Sequence, residues 1–290
     1  MSAPSETIPE KLARLDNNLT RAERQLSQFL LGNFPFSGLG SITKVAQDAN
    51  VSTPTVVRMV KKLGFSGFPD FQQRLREELE AIVSTPIAKH DNWTSAAPQE
   101  HILNRFTDAV FDNIRSTLDQ IKLEDFEQFC TLLGDKSRKV HIVGGRITRT
   151  LADYLFLHLQ VMRRDVIFIP SNANTWPHYL LDVEKDDVLV VFDVRRYENT
   201  TLKLAETAAA KGAKILLFTD QWRSPIHAHS DCTICARIEA PSAWDSNVTL
   251  LLLLETLLAE LQQRDWDGSR QRMANLEEMF DRTRFFRKFQ

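Results

Sequence analysis

Residues 41–68 read SITKVAQDANVSTPTVVRMVKKLGFSGF, and the fold of the first part of the chain turns on them. Val45, Ala46, Ala49, Val51, Val56 and Met59 are apolar or small in two helical rhythms that join at Asn50. That is the pattern of two short helices packed across a tight turn, a helix-turn-helix. Asn50 stands where the turn needs a residue that tolerates positive φ, a role Asn fills after Gly. Ser52 is placed as the N-cap of the second helix, and Thr53, Pro54 and Thr55 fill a first turn whose amides need no helical partner. Helical spacing puts Thr53, Thr55, Arg58, Lys61 and Lys62 on the outer face, and no carboxylate occurs between Asp48 and Asp70.

A helix lying in the major groove sits between two rows of phosphates, where an acid would be repelled. The hydroxyls of Ser52, Thr53 and Thr55 are placed for base edges or phosphates, and Arg58, Lys61 and Lys62 for phosphates or guanine. These six are the expected DNA contacts; an ordinary helical hairpin with a solvated basic face is the alternative. The run Leu63-Gly64-Phe65-Ser66-Gly67-Phe68-Pro69-Asp70-Phe71, with Val51-Ser52 and Thr55-Val56-Val57-Arg58, resembles the DNA-binding domain of the RpiR/MurR family of bacterial transcription regulators. The resemblance covers most of the first eighty residues. It implies an all-α helix-turn-helix domain, a double-stranded DNA operator as partner and control of transcription as function.

Upstream, Thr20-x-x-Glu23 is a capping box that opens an amphipathic helix through Leu26, Phe29 and Leu30, ending near Gly32 and Pro35. Downstream, Phe65, Phe68 and Phe71 are expected to close the small core, with helix from about Pro69 to Ile82. Residues 84–100 hold two prolines and small polar residues with no helical period, the composition of a linker. The expected division is therefore a DNA-binding domain over 1–83, a linker over 84–100 and a second domain over 101–290.

The 290 residues, 43% hydrophobic and 26% charged, leave room for two domain cores. A net charge of −2 gives no global field for nucleic acid, so DNA binding has to come from the local basic patch around Arg58. No run approaches the roughly eighteen apolar residues of a membrane span. MSAPSETIPEK at the start has no apolar core of a secretory signal, and a cytoplasmic location is expected. Three cysteines suit a reducing compartment. Cys232-Thr233-Ile234-Cys235 falls in a strand-like run, where positions three apart face opposite sides, and no second Cys or His pair has metal spacing with it. Neither metal nor cofactor is expected.

After a long amphipathic stripe at Ile102, Phe106, Val110, Ile114 and Leu118, and a short helix with Phe126, Phe129 and Leu132, the rhythm changes. Apolar runs at 140–143, 165–169, 187–192, 213–218 and 232–238 alternate with helical segments. They predict an α/β, doubly wound, five-stranded parallel sheet, which takes ligands at the carboxyl ends of its strands. Gly144-Gly145-Arg146-Ile147-Thr148, the run from Asp187 to Phe192 with its loop, residues 209–214, and Thr219-Asp220 leading to Ser224-Pro225-Ile226 are similar to the sugar isomerase (SIS) domain. That similarity runs from about residue 101 to 265 and matches the usual partner of an RpiR-type head.

The SIS resemblance implies a phosphosugar site made by a G-x-G-x-S loop and an S-x-S-G-x-T loop. Here the first keeps Gly144, followed by Gly145, has Arg146 in place of the second motif glycine and offers Thr148 as the hydroxyl. The second falls on Asp193-Val194-Arg195-Arg196-Tyr197-Glu198, where fixed charges replace neutral donors. Either Arg195 or Arg196 pairs with Asp193 and the pocket is structural, or one of them grips a ligand's acid. Gly144, Gly145, Arg146, Thr148, Asp193, Arg195, Arg196 and Tyr197 are the expected effector residues, with Trp176 and Trp244 as walls. Asp193 would repel a phosphate and could meet an ammonium, which favours a carboxylated metabolite. The expected protein is a DNA-binding regulator, homodimeric or larger, that senses a small molecule. A sugar-phosphate isomerase with an accessory helical domain is the alternative, although none of Glu198, His178 and Glu255 is singled out as a base and no catalytic residue is assigned. The tail FDRTRFFRKFQ (280–290) is expected to pack on a partner subunit, a basic arm on DNA being the alternative.

Overall fold

A computed structural model of the chain describes residues 6–95 and 101–286. The first five helices are α1 (Ile8–Leu15), α2 (Arg21–Gly32), α3 (Ile42–Asp48), α4 (Thr53–Lys62) and α5 (Phe68–Val83). The capping box of Thr20 and Glu23 opens α2 as the sequence predicts, and a second one, Thr7 with Glu10, opens α1. Asn50 takes φ 52° in the turn between α3 and α4, and the Ser52 hydroxyl accepts the Thr55 N–H at 3.3 Å. Leu26, Leu30, Val45, Ala49, Val56, Met59 and Phe71 bury the seam. Phe65 meets Phe71 edge-on at 5.5 Å, so the aromatic run closes the head's core.

Between the domains the structure departs from expectation. Pro86–Ser95 form a helix, α6, where the sequence shows no helical period. Its start signals are local: the Thr85 hydroxyl accepts the Ala88 N–H at 3.2 Å, and Pro86 stands in the first turn. Residues 96–100 lie outside the described ones.

The second part continues with α7 (Ile102–Leu118), α8 (Leu123–Gly134), β1 (Val140–Gly144), α9 (Arg149–Met162), β2 (Val166–Phe168), α10 (Trp176–Leu181) and β3 (Val188–Asp193). Then come α11 (Asn199–Ala210), β4 (Lys214–Asp220), β5 (Cys232–Ala236), α12 (Val248–Arg264) and α13 (Trp266–Thr283). All neighbouring strands are parallel, in the order β2-β1-β3-β4-β5. Alternation sorts the side chains. Ile142, Val190, Phe192, Leu216 and Phe218 pack with residues of α8, α9 and α12, while Val143, Leu189, Val191 and Leu217 pack with residues of α11. Along α7 the expected stripe is only partly covered: Val110 is buried, whereas Ile102 and Leu118 are exposed. Among the described residues no helix is long and apolar enough to cross a membrane.

The head is docked on the sheet domain through polar contacts. Arg237 follows β5 and pairs with Glu10 of α1 at 2.6 Å, both side chains buried. The Thr7 hydroxyl donates to the Gln221 carbonyl at 3.1 Å. The strand order reverses between β1 and β3, so the loops after them, 145–148 and 194–198, flank the crevice where such sheets bind ligands.

Candidate nucleic-acid interface and effector cleft

On α4, Pro54, Val57, Arg58 and Lys61 are exposed and Thr53 is half-buried, making one outward strip. Ser52, exposed, caps its start. Two expected contacts are corrected. Thr55 is 4% exposed, its hydroxyl 2.9 Å from that of Ser52 and accepting from Arg58 Nη2 at 3.2 Å, so it braces the helix start and Arg58. Lys62 turns back to Glu23 Oε2 at 2.9 Å and the Asn18 carbonyl at 2.6 Å, tying α4 to α2. Of the expected contacts, Ser52, Thr53, Arg58 and Lys61 stay on the outward side, and Gln25 holds the turn before α4 by donating its amide to the Ala49 carbonyl at 2.9 Å.

At the crevice lies a cleft of about 480 Å³, lined by the loops after β1 and β3, by 243–247 and by Ser84, Pro86 and Lys89. Gly144 is obligatory because a Cβ there would stand 2.7 Å from the Arg149 nitrogen, against the first turn of α9. Thr148, expected as an anion donor, is buried, and its hydroxyl donates to the Phe192 carbonyl at 2.7 Å. The amide that points at an anion is that of Arg146, and the anion is the protein's own: Glu198 Oε1 accepts this N–H at 2.8 Å. A carboxylate beside the start of a helix is favourably placed. The Arg146 guanidinium lies 5.8 Å from the Trp244 ring centre, and neither it nor Arg196, which is exposed, has a carboxylate partner among the described residues.

Asp193 does not present its charge to the cleft. It is buried and receives the Ser224 hydroxyl, and burial pushes its carboxyl up to about 7, with Asp220 nearby adding to the rise. Asp220 is pushed up to about 6 by burial, against the pull of the Tyr197 hydroxyl at 2.6 Å and the backbone N–H groups of Arg195 and Trp222. Tyr197 is thus committed to Asp220, and the ammonium site expected at Asp193 is withdrawn. The carboxylate that lies on a loop amide at the cleft is that of Glu198.

Arg195 does not pair with Asp193. Its guanidinium, 4% exposed, stacks 4.3 Å from the Trp222 ring centre and donates to Asp245 through Nε at 2.9 Å and Nη2 at 2.6 Å. Nη1 donates to the Ala81 carbonyl of α5 at 3.0 Å. Asp245 also receives Lys89 of α6 at 2.5 Å. Burial pulls the Lys89 ammonium down despite Asp245, and the two cations hold Asp245 below the usual carboxylate range against its own burial. Trp176 is buried under the sheet with its indole N–H on the Pro170 carbonyl at 2.6 Å, so only Trp244 of the expected walls lines the cleft. Of the candidate bases, His178 is exposed on α10 and Glu255 on α12 takes the Tyr154 hydroxyl at 3.0 Å; neither lines the cleft. The thiols of Cys232 and Cys235 are pushed up to about 12 and about 11 by burial, as packed rather than reactive groups are.

A helix-turn-helix head with a basic outward strip, joined to a parallel-sheet domain with a charged cleft at its strand ends, defines a DNA-binding regulator carrying a sensor domain. The helix-turn-helix domain of the rpiR family matches residues 7–81, and the SIS domain matches residues 135–260. The chain belongs to the RpiR family of HTH-type transcriptional regulators. It is 28% identical over 267 residues to the HTH-type transcriptional regulator HexR of Pseudomonas aeruginosa, covering 84% of this chain and 85% of that protein. In fold it is similar to the sugar isomerase domain of an RpiR transcription factor from Sphaerobacter thermophilus, with TM-score 0.56, 22% identity, and 61% of this chain and 97% of that one covered. It is also similar to the Vibrio vulnificus NanR protein, solved with ManNAc-6P, at TM-score 0.55 and 15% identity, over 95% of this chain and 98% of that one.

Proposed function

We propose that this regulator binds its operator as a homodimer, performs no catalysis, and responds to a small carboxylated metabolite held in the cleft between the β1 and β3 loops. The observation that carries the ligand class is Glu198: its carboxylate sits on the Arg146 amide, where a phosphate would otherwise be cradled. Two like charges at that spot repel, and a phosphate dianion suffers twice the repulsion of a carboxylate. The guanidiniums of Arg146 and Arg196 stay available at the rim, and their planar forks fit a carboxylate bidentately. The dimer follows from contact number, because one small head makes too few contacts for operator affinity and a two-fold dimer would match an inverted repeat. NanR was solved with a phosphosugar, so the same fold also serves that class.

The test is thermal unfolding against dicarboxylates, amino acids and sugar phosphates, for the wild type and Glu198→Thr. A ligand that binds only the folded state raises its melting temperature. Carboxylated compounds are expected to stabilise the wild type, and sugar phosphates to stabilise only Glu198→Thr. A sugar phosphate that stabilises the wild type while no carboxylate does would return the cleft to phosphosugar sensing.

A further inference from the structure

One wall of the cleft belongs to the segment that joins the two domains. Lys89 projects from α6 and gives Asp245 one hydrogen bond at 2.5 Å, although an ammonium carries three donors. Arg195 is more fully engaged: each of its three side-chain nitrogens has a partner, Asp245 or Ala81, and its own backbone N–H reaches Asp220. Ala81 lies in the last turn of α5, where carbonyls lack helical partners, so the guanidinium caps the final helix of the DNA-binding head. Around the one carboxylate of Asp245 stand two cations, and Glu239, 3.9 Å from Arg195 and half-exposed, offsets the surplus only from the side.

We infer that Lys89 is an effector-contacting residue: its remaining donors take the acid group of a carboxylate ligand, while Arg195 is a positioning residue that ties the same cluster to the end of α5. Ligand binding then acts directly on α5 and α6, because the contact is made by the connecting segment itself. The inference rests on the carboxylate reading above and adds where the ligand is felt. Charge favours it, since an incoming carboxylate supplies the negative charge that the Lys89–Asp245–Arg195 cluster lacks. Geometry favours it as well, since Lys89 and the guanidiniums of Arg146 and Arg196 line one cleft.

Hydrogen exchange on the full chain, with citrate as the probe, tests it in the wild type and in Lys89→Gln, which keeps a good helix former at the site. In the wild type citrate is expected to slow exchange both in the 145–148 loop and across residues 80–95. In Lys89→Gln the protection of 80–95 should fall by about tenfold or more, the loss of one charge-assisted hydrogen bond. Arg195→Lys, which cannot reach Asp245 and Ala81 together, should raise exchange at the end of α5 without any ligand, leaving β1 and β3 unchanged. Equal protection of 80–95 in wild type and Lys89→Gln, or protection of the sensor loop alone, overturns this inference and leaves the carboxylate reading standing. No protection anywhere by citrate, with no dicarboxylate or amino acid raising the wild type's melting temperature, overturns both.

Discussion

Thr55 and Lys62 occupy positions that a helical wheel places outside, yet the fold commits each to a neighbour. Thr55 exchanges hydroxyl contacts with Ser52, and Lys62 bridges to Glu23 across the head. Arg58→Ala and Lys61→Ala are therefore expected to weaken operator binding, and each should lower the salt dependence by about one unit for every phosphate the variant no longer touches. Lys62→Ala should leave that slope unchanged and lower the head's stability, read from melting and from affinity at several salt concentrations. Equal slopes for all three variants and the wild type would reject α4 as the recognition helix. Beneath the cleft, Asp193 and Asp220 are raised to about 7 and about 6 by burial. A carboxyl raised in the folded state favours folding while it is protonated there; that contribution is complete below the unfolded value near 4 and is lost as pH rises through 6 to 7. Melting temperature should thus fall from about pH 5 to about pH 8 by about 4 °C or more, and Asp193→Asn should flatten the fall. An unchanged slope in Asp193→Asn would show that this carboxyl is not the one titrating.

Elements whose signal is periodic or local are legible in the sequence. The five strands follow from β-rich apolar runs, and Ser52, Asn50 and the Thr20 capping box follow from the chemistry of helix ends. Helix α6 is not, because its polar residues carry no stripe and its role comes from Lys89 meeting Asp245, 156 residues away. The sequence puts Arg195 in the right loop but with the wrong partner, since nothing local points to Ala81 or Asp245. It offers Glu198 as a fixed charge in the second loop and as a candidate base, without its partner. The contact of Glu198 with the Arg146 amide depends on two loops brought together by the sheet. At the C-terminal end, Phe280, Phe285 and Phe286 stack on one another at 5.0–5.3 Å, and the last two are exposed. Residues 287–290 of the tail lie outside the described ones. Removing 280–290 should shift a dimer toward monomer in analytical ultracentrifugation, because these rings need a partner surface. A stable dimer with weaker DNA binding would assign the tail to DNA instead.

At the scale of the whole molecule, the head and the sensor domain are joined by a buried ion pair, Glu10 with Arg237, and by the Arg195 cap on α5. Removing one partner of a buried ion pair costs about 3–5 kcal/mol. Glu10→Ala is therefore expected to release the head from the sensor, raising the radius of gyration in solution scattering and the rate of proteolysis between the domains. An unchanged radius and cleavage rate would place the docking energy elsewhere. The Arg195 cap runs from a residue lining the cleft to the last turn of α5 in the head. The most direct test is fluorescence anisotropy of a labelled duplex, selected by this protein from random sequences, against a scrambled duplex while the stabilising carboxylate is titrated. Tight binding to the selected duplex alone, with affinity that changes as the carboxylate saturates the cleft, is the expected result. Equal affinity for both duplexes at every carboxylate concentration would contradict a ligand-controlled, sequence-specific regulator.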